Sequence, residues 1–342
     1  MSMKLEEFAR ESRATHKGDK SGVPIVGLEH LIPQEIKFSG YDVDTENTFT
    51  KTFKKGQILF GRRRAYLKKA AIADFDGICS GDITVIEAIP GKVDPLLLPF
   101  IIQNDKFFDY AVSRSAGGLS PRVKWEHLKD YEFDLPPIEE QRILADKLWA
   151  AYRLKESYKK LLTATQEMVK SQFIEMFGGL CQDTPWSDVV TITNGKAYPE
   201  EYQEEGAYPI CGSGGIMCYG EKKLCNGNTT ILGRKGNINN PIFMESGYWI
   251  VDTAFSIDVD KAKLHPKFFY YWCCQYDFTK LNKQGVLPSL TRKDLEKVKM
   301  AIPQMRDQLK FVSIAEQADK SKFELKQCIE NIDKVIKSLI NG

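Results

Sequence analysis

The sequence predicts an α/β (α+β) protein: two globular domains duplicated in tandem, with a long antiparallel two-helix coiled coil between them and pseudo-two-fold symmetry. Three observations carry that prediction. From Leu135 to Gly178 the chain runs without Gly or Pro after Pro137, with apolar or small residues at Leu144, Leu148, Ala151, Tyr158, Leu162, Thr165, Val169, Phe173 and Met176. Three- and four-residue steps of this kind mark one amphipathic helix of ~60 Å. A second run, Gln304 to Ile340, carries a stripe at Leu325, Ile329, Ile332, Ile336 and Leu339, alternating fours and threes. The segments that precede the two runs repeat one another in order. Two helices that each project from a domain and bear one apolar stripe bury those stripes together. The predicted divisions are 1–136, 137–179, 180–303 and 304–342.

In the first domain, Gly56–Gly61 and Asp82–Glu87 read as short strands, rich in apolar and β-branched residues. Ala65–Ala73 is predicted as a further strand, closed by the turn Asp74-Phe-Asp-Gly77. Leu96–Ser113 has helical spacing, Ser115–Pro121 is a glycine-rich loop, and Trp125–Asp130 is a short helix leading into strand Tyr131–Leu135. The second domain follows the same plan. Thr230–Lys235 matches Ile58–Arg63 as strand, glycine and paired cations, and Val251–Ile257 matches the strand at Asp82. His265–Asp277 matches the helix at Leu96, and Gly285–Pro288 matches Gly118–Pro121. At the same offset Leu295 matches Leu128, Pro303 matches Pro136 and Gln308 matches Gln141.

Composition narrows the class. With 342 residues, 42% hydrophobic and 27% charged, the chain has enough material for two cores. No run approaches the ~20 apolar residues of a bilayer span, and the N-terminus has no apolar signal core, so the expected location is cytoplasmic, with no membrane. The net charge of +2 argues against a generic polyanion binder. The positive field is instead local: Asn47–Ala73 holds eight basic residues (Lys51, Lys54, Lys55, Arg62, Arg63, Arg64, Lys68, Lys69) and no acid. The eight cysteines form no CxxC pair, and Cys211, Cys218 and Cys225 are too widely spaced for a zinc knuckle. Reduced, mostly buried thiols are expected, and no metal.

Leu135-Pro-Pro-Ile-Glu-Glu-Gln141 before a helix ending Glu175-Met-Phe-Gly178, two such domain–helix units, and the block GQILFGRRRAYLKKAAIADFDGICSGD at 56–82 resemble the specificity (S) subunit of type I DNA restriction-modification systems. The resemblance covers essentially the whole chain. It is weaker in the second half, where the helix start reads Ile302-Pro-Gln-Met-Arg-Asp-Gln308, with Arg306 in place of Glu139. It implies that each globular unit is a target recognition domain reading half of a bipartite site on double-stranded DNA. It further implies that the paired helices set the spacing and dock two modification (methyltransferase) subunits, with restriction (endonuclease/translocase) subunits beside them. S-adenosylmethionine, ATP and Mg belong on those partners, and this chain is not itself an enzyme.

Site chemistry follows the cations. Arg62, Arg63 and Arg64, with Tyr66, Lys68 and Lys69, follow the strand end at Gly61. The planar guanidinium suits both phosphate and the O6/N7 edge of guanine. A solvated basic strand face is the plainer alternative. In the second domain Arg234 and Lys235 take the matching place, followed by Asn237, Asn239 and Asn240, where asparagine suits adenine but also simple turns. The loops Gly117–Lys124 (Arg122, Lys124) and Gln284–Arg292 (Arg292) offer backbone NH groups and a cation to phosphates. The helix-pair interface is expected at Leu144, Leu148, Leu162, Val169, Leu325, Ile329, Ile332 and Ile336.

Catalytic motifs are missing from the sequence. Gly212-Ser-Gly-Gly215 lacks the last glycine of a dinucleotide fingerprint, no GxxxxGK occurs, and Asp134-Leu-Pro-Pro137 is not a base-flipping methyltransferase tetrad. Asp74, Asp76 and Asp82 hint at a metal, but a turn explains the first two. Competing readings are a self-contained DNA methyltransferase or nuclease, and a sequence-blind coiled-coil DNA scaffold.

Overall fold

A computed structural model of the chain describes residues 2–281 and 289–341. The chain divides into two compact units, 1–159 with 327–342, and 160–326. The repeat match at Gly285–Pro288 and most of the candidate loop Gln284–Arg292 lie outside the described residues.

The first unit runs β1 (Ser2–Lys4), α1 (Leu5–Phe8), β2 (Ala9–Ser12), β3 (Ile25–Val26), β4 (Lys51–Phe53), β5 (Ile58–Gly61), β6 (Ala70–Ile72), β7 (Gly77–Cys79) and β8 (Ile83–Ala88). Helices α2 (Leu98–Ile102), α3 (Asp105–Ser113) and α4 (Trp125–Leu128) follow, then β9 (Glu132–Asp134) and the long helix α5 (Ile138–Phe177). An antiparallel sheet in the order β2-β8-β5-β6 forms its centre, beside a smaller sheet β3-β7-β4. β1 pairs with β9, which ties the start of the chain to the strand feeding α5. Phe60 on β5 is fully buried between Phe107 and Phe108 of α3, with ring centroids 5.4 and 5.5 Å away. Such aromatic contacts dominate core energetics.

Two expectations are corrected here. The helical pattern at Leu96–Ser113 is two helices: Asn104 has an extended backbone (ψ 139°), and its side chain accepts from the Lys106 N–H at 3.0 Å, starting α3 anew. Ala65–Ala73 is a strand only at Ala70–Ile72. Ala65–Leu67 is instead a 3-10 turn between Arg64 (φ 54°) and Lys68 (φ 52°), both left-handed. Distant partners hold it, because Arg64 N–H donates to Pro121 O and the Lys68 carbonyl accepts from Gln34 N–H.

The second unit runs β10 (Thr184–Pro185), β11 (Val190–Asn194), β12 (Tyr208–Gly212), β13 (Gly215–Gly220), β14 (Thr229–Gly233), β15 (Ile242–Met244), β16 (Trp249–Ile250) and β17 (Ala254–Val259). Helices α6 (Pro266–Gln275) and α7 (Arg292–Glu296), β18 (Lys299–Met300) and the long helix α8 (Met305–Asn341) complete it. Its main sheet, β11-β17-β14-β15, repeats the order of the first, and β10–β18 repeats β1–β9. The smaller sheets share one parallel pair (β3 with β7, β12 with β16). The third strand joins the later member in the first unit and the earlier member in the second. Trp186 is fully buried here against Phe269, Trp272 and Phe278.

Both long helices are continuous, and each belongs partly to either unit. In the first unit Leu148 and Tyr152 are buried in the core, with Leu144, Ile336 and Leu339 packed against it and Ile340 inside it. Lys155 Nζ meets Asp333 at 2.7 Å. In the second unit Val169 is buried, and Phe173 and Phe177 contact Phe311 at 5.2 and 5.7 Å. Early residues of α5 therefore meet late residues of α8, and late meet early, which is antiparallel order. Leu162, Leu325, Ile329 and Ile332 are half-buried along the same stripe.

The glutamine shared by both helix starts has a structural use. Gln141 Oε1 accepts from Asp94 N–H at 2.8 Å while Nε2 donates to Pro136 O at 2.9 Å. Gln308 repeats this with His265 N–H (2.8 Å) and Pro303 O (2.8 Å), and also donates to Lys263 O (2.9 Å). Each is a buried amide clip that closes a domain onto its own helix. Buried backbone groups need such partners.

Candidate nucleic-acid interface

The first unit concentrates cations where β5 ends. Gly61 is there because the chain folds back closely: its N–H donates to Lys69 O at 2.9 Å, and a Cβ would come within 3.2 Å of that oxygen. Beyond it, the Arg62 carbonyl accepts from Val123 N–H at 3.0 Å, and Arg63 pairs with Arg122 as a β-bridge. Ala116 and Arg122 exchange two backbone bonds of 2.9 Å. The arginine segment and the glycine-rich loop, read separately from the sequence, are thus one structure.

Side chains complete it. Arg122 grips Asp82 with two bonds, Nε to Oδ1 at 2.7 Å and Nη2 to Oδ2 at 3.2 Å. Arg63 reaches Asp82 Oδ2 at 3.4 Å and Ser120 Oγ at 3.1 Å. Arg64 donates to Ser120 Oγ at 3.4 Å and to Leu119 O at 3.5 Å. The Arg122 hydrogen bond, backed by the charges of Arg122 and Arg63, holds the Asp82 carboxyl below the usual range against the opposing effect of burial. Two guanidinium groups on one carboxylate, with Arg64 tied to the same loop through Ser120, leave net positive charge in a bonded frame. Arg62 Nε and Arg63 Nε are buried without acceptors.

The remaining predicted cations divide. Tyr66 and Lys124 are exposed. Lys68 pairs with Asp105 at 2.5 Å, whose other oxygen meets Lys337 of α8 at 2.8 Å. Lys69 Nζ donates to Leu28 O at 2.7 Å. Intrachain partners therefore hold both lysines, away from the arginine cluster's bonds.

The second unit keeps the same backbone frame with fewer cations. The Arg234 carbonyl accepts from Leu290 N–H at 2.9 Å, matching Arg62 with Val123, and Lys235 bridges Ser289, matching Arg63 with Arg122. Gly233 is forced by a close approach, since a Cβ would sit 2.1 Å from Asn237 O. The Arg234 guanidinium lies 5.9 Å from the Phe255 ring centroid, within cation–π range, and Lys235 and Asn237 are exposed. Asn239 is engaged at both ends of its amide: Nδ2 donates to Asp277 at 3.0 Å, and Oδ1 accepts from Phe278 N–H at 2.7 Å. It staples a loop. Arg292 pairs with Glu296 at 2.7 Å, one turn along α7.

Two of the three hinted metal residues have partners within the chain. Asp82 holds arginines, and Asp76 accepts from Lys55 N–H at 2.8 Å. The eight cysteines are free thiols, and burial pushes Cys211 up to about 11. Among the described residues, Glu29, His30 and Asp42 come together closely enough to hold an ion. There, however, His30 Nδ1 accepts from Gly27 N–H at 3.0 Å, which leaves the proton of the neutral ring on Nε2, facing Asp42 at 3.7 Å. Among the described residues no helix is long and apolar enough to cross a membrane.

Sequence reasoning missed Asp82 as the organiser of the arginines, and it passed over Ser120. The signal for Asp82 was present but oblique: an acid closing a cation-rich block, which reads equally well as a turn residue.

A family model for the type I restriction modification DNA specificity domain matches this chain twice, at residues 8–164 and 182–334. The type I restriction enzyme EcoDI specificity subunit of Escherichia coli is 29% identical over 149 residues, 41% of this chain. That match spans only 33% of the relative's length. Among solved structures, the type I restriction-modification S subunit from M. genitalium aligns over 100% of this chain and 96% of its own, with a TM-score of 0.65 and 15% identity. A chain from a solved type I R-M system, described for its complex assembly and conformational transition, aligns over 99% and 96%, with a TM-score of 0.60 and 18% identity. At these identities the two structures attest the fold.

Proposed function

The chain belongs to the type I restriction modification DNA specificity family, and from that premise we propose that it is the sequence-reading subunit of such a system. Each unit reads one half of a bipartite site on double-stranded DNA. The single observation that carries this reading is the repeated frame: Arg62–Arg64 braced by Ser120–Val123 in one unit, and Arg234–Lys235 braced by Ser289–Leu290 in the other. Oriented guanidinium groups are what bidentate reading of guanine and positioning on phosphate require. The paired helices set the gap between half-sites and dock two modification subunits. Methyl transfer, cleavage and translocation, with S-adenosylmethionine, ATP and Mg, fall to modification and restriction subunits.

The test is a mobility-shift series across salt, using the full chain with its modification partner. The double variant Arg62→Ala/Arg63→Ala should lower affinity and flatten the salt slope by about one to two units, one for each phosphate that is no longer neutralised. Unchanged affinity and slope would remove the base-reading claim. Methylation or cleavage by the isolated chain, given methyl donor or metal, would overturn the non-catalytic role.

A further inference from the structure

Leu119 is 96% exposed, while the other exposed large hydrophobic residues among those described range from 39% to 64%. It stands at the tip of the loop Ser115–Arg122, and that loop is braced. Ala116 and Arg122 exchange both backbone bonds, Arg64 N–H donates to Pro121 O at 2.8 Å, and Ser120 Oγ accepts from Arg63 and Arg64. The Leu119 carbonyl itself accepts from Arg64 at 3.5 Å. Gly117, at φ +114°, makes the turn that lets the tip project.

A leucine adds neither charge nor hydrogen bond to a phosphate contact. Placed beside the guanidinium groups of Arg63 and Arg64, its available partners on a duplex are the apolar faces of bases and the thymine methyl group. Apolar side chains used in this way enter a base step and unstack it, most readily at flexible pyrimidine–purine steps. Resting on the DNA-reading role above, we propose that Leu119 is a wedge: it enters the base stack of the half-site read by the first unit, beside the bases the arginines contact. The arginines hold the duplex while the leucine opens one step. Specificity then includes the deformability of that step as well as its hydrogen-bonding edge.

The test uses the full chain with its modification partner and a duplex recovered by that complex from a random library. 2-Aminopurine is placed at successive positions of each half-site. The wild-type complex should raise fluorescence at one step of one half-site. Leu119→Ala should abolish that rise and weaken specific binding about ten-fold, with an unchanged salt slope because no charge is removed. Leu119→Met should restore both. If Leu119→Ala retains the fluorescence rise and the affinity, the wedge is wrong. A changed salt slope in Leu119→Ala would also refute it, since the loop would then act through the arginines. If the wild-type complex enriches no sequence at all, the DNA-reading role fails first and the wedge falls with it.

Discussion

On the proposed reading, a carboxylate among arginines that meet DNA weakens the attraction, so Asp82 must return its cost in placement. It grips Arg122 with both oxygens and draws in Arg63, and Ser120 then links Arg63 to Arg64. Asp82→Asn should therefore separate affinity from specificity. Removing a negative charge favours binding to any duplex, while releasing Arg122 lowers the preference for the cognate site by about ten-fold, the order of one bidentate contact. Competition between cognate and random duplex would measure this, and an unchanged ratio would argue that Arg122 reads no base. The pH dependence has a definite sign. Because the folded carboxyl sits below its usual value, the pairing is complete above about pH 4 and is lost as pH falls through the lower folded value. Wild-type specificity should not vary between about pH 6 and 8 through this group. The arginines themselves were legible in the sequence because a strand, a glycine and paired cations recur in both halves. Asp82 was not, since its role depends on the backbone register that brings Arg122 beside it from forty residues away.

At the scale of elements, periodicity gave the long helices almost to the residue: Leu135–Gly178 expected against Ile138–Phe177 found, and Gln304–Ile340 against Met305–Asn341. Local composition decides such helices. The Ala65–Ala73 segment failed for the opposite reason, since its turn is held by Gln34 and Pro121, which no local pattern reveals. Asn104-Asp105 is an intermediate case. It is a recognisable cap pair that the apolar spacing around it hid. The two glutamine clips show that repeat matching can find a residue before its role is known. Replacing Gln141 with Leu strands a buried backbone group at Asp94 and a half-buried one at Pro136, and should cost about 2–4 kcal/mol. Gln308→Leu strands three and should cost more. Hydrogen exchange followed separately in each unit would resolve the two effects, where one melting curve would merge them. Equal and negligible effects would mean that water satisfies these groups.

For the whole molecule, the duplication fixes what each half is built from, and two continuous helices each contribute residues to both units. Both main sheets share one strand order and both arginine frames share one register, while the units differ in side chains, in the third strand of the smaller sheet, and in having α2 and α3 where the second unit has α6. Half-site sequence should then depend on the units, and half-site gap on the helices. Deleting one heptad from each helix, residues 160–166 of α5 and 322–328 of α8, preserves the phase of the apolar stripe. Seven residues correspond to about 10 Å of helix, and about 10 Å is about three base pairs of duplex. Methylome sequencing of cells carrying the shortened chain with its partners should show both half-sites unaltered and the gap reduced by about three base pairs. An unchanged gap would show that something other than the helix pair sets the spacing. Altered half-sites would show that base choice extends into the helices. Leu162→Asp, at a half-buried stripe position, is the matching control: it keeps the helix length and attacks the pairing, so it should abolish methylation instead of moving it.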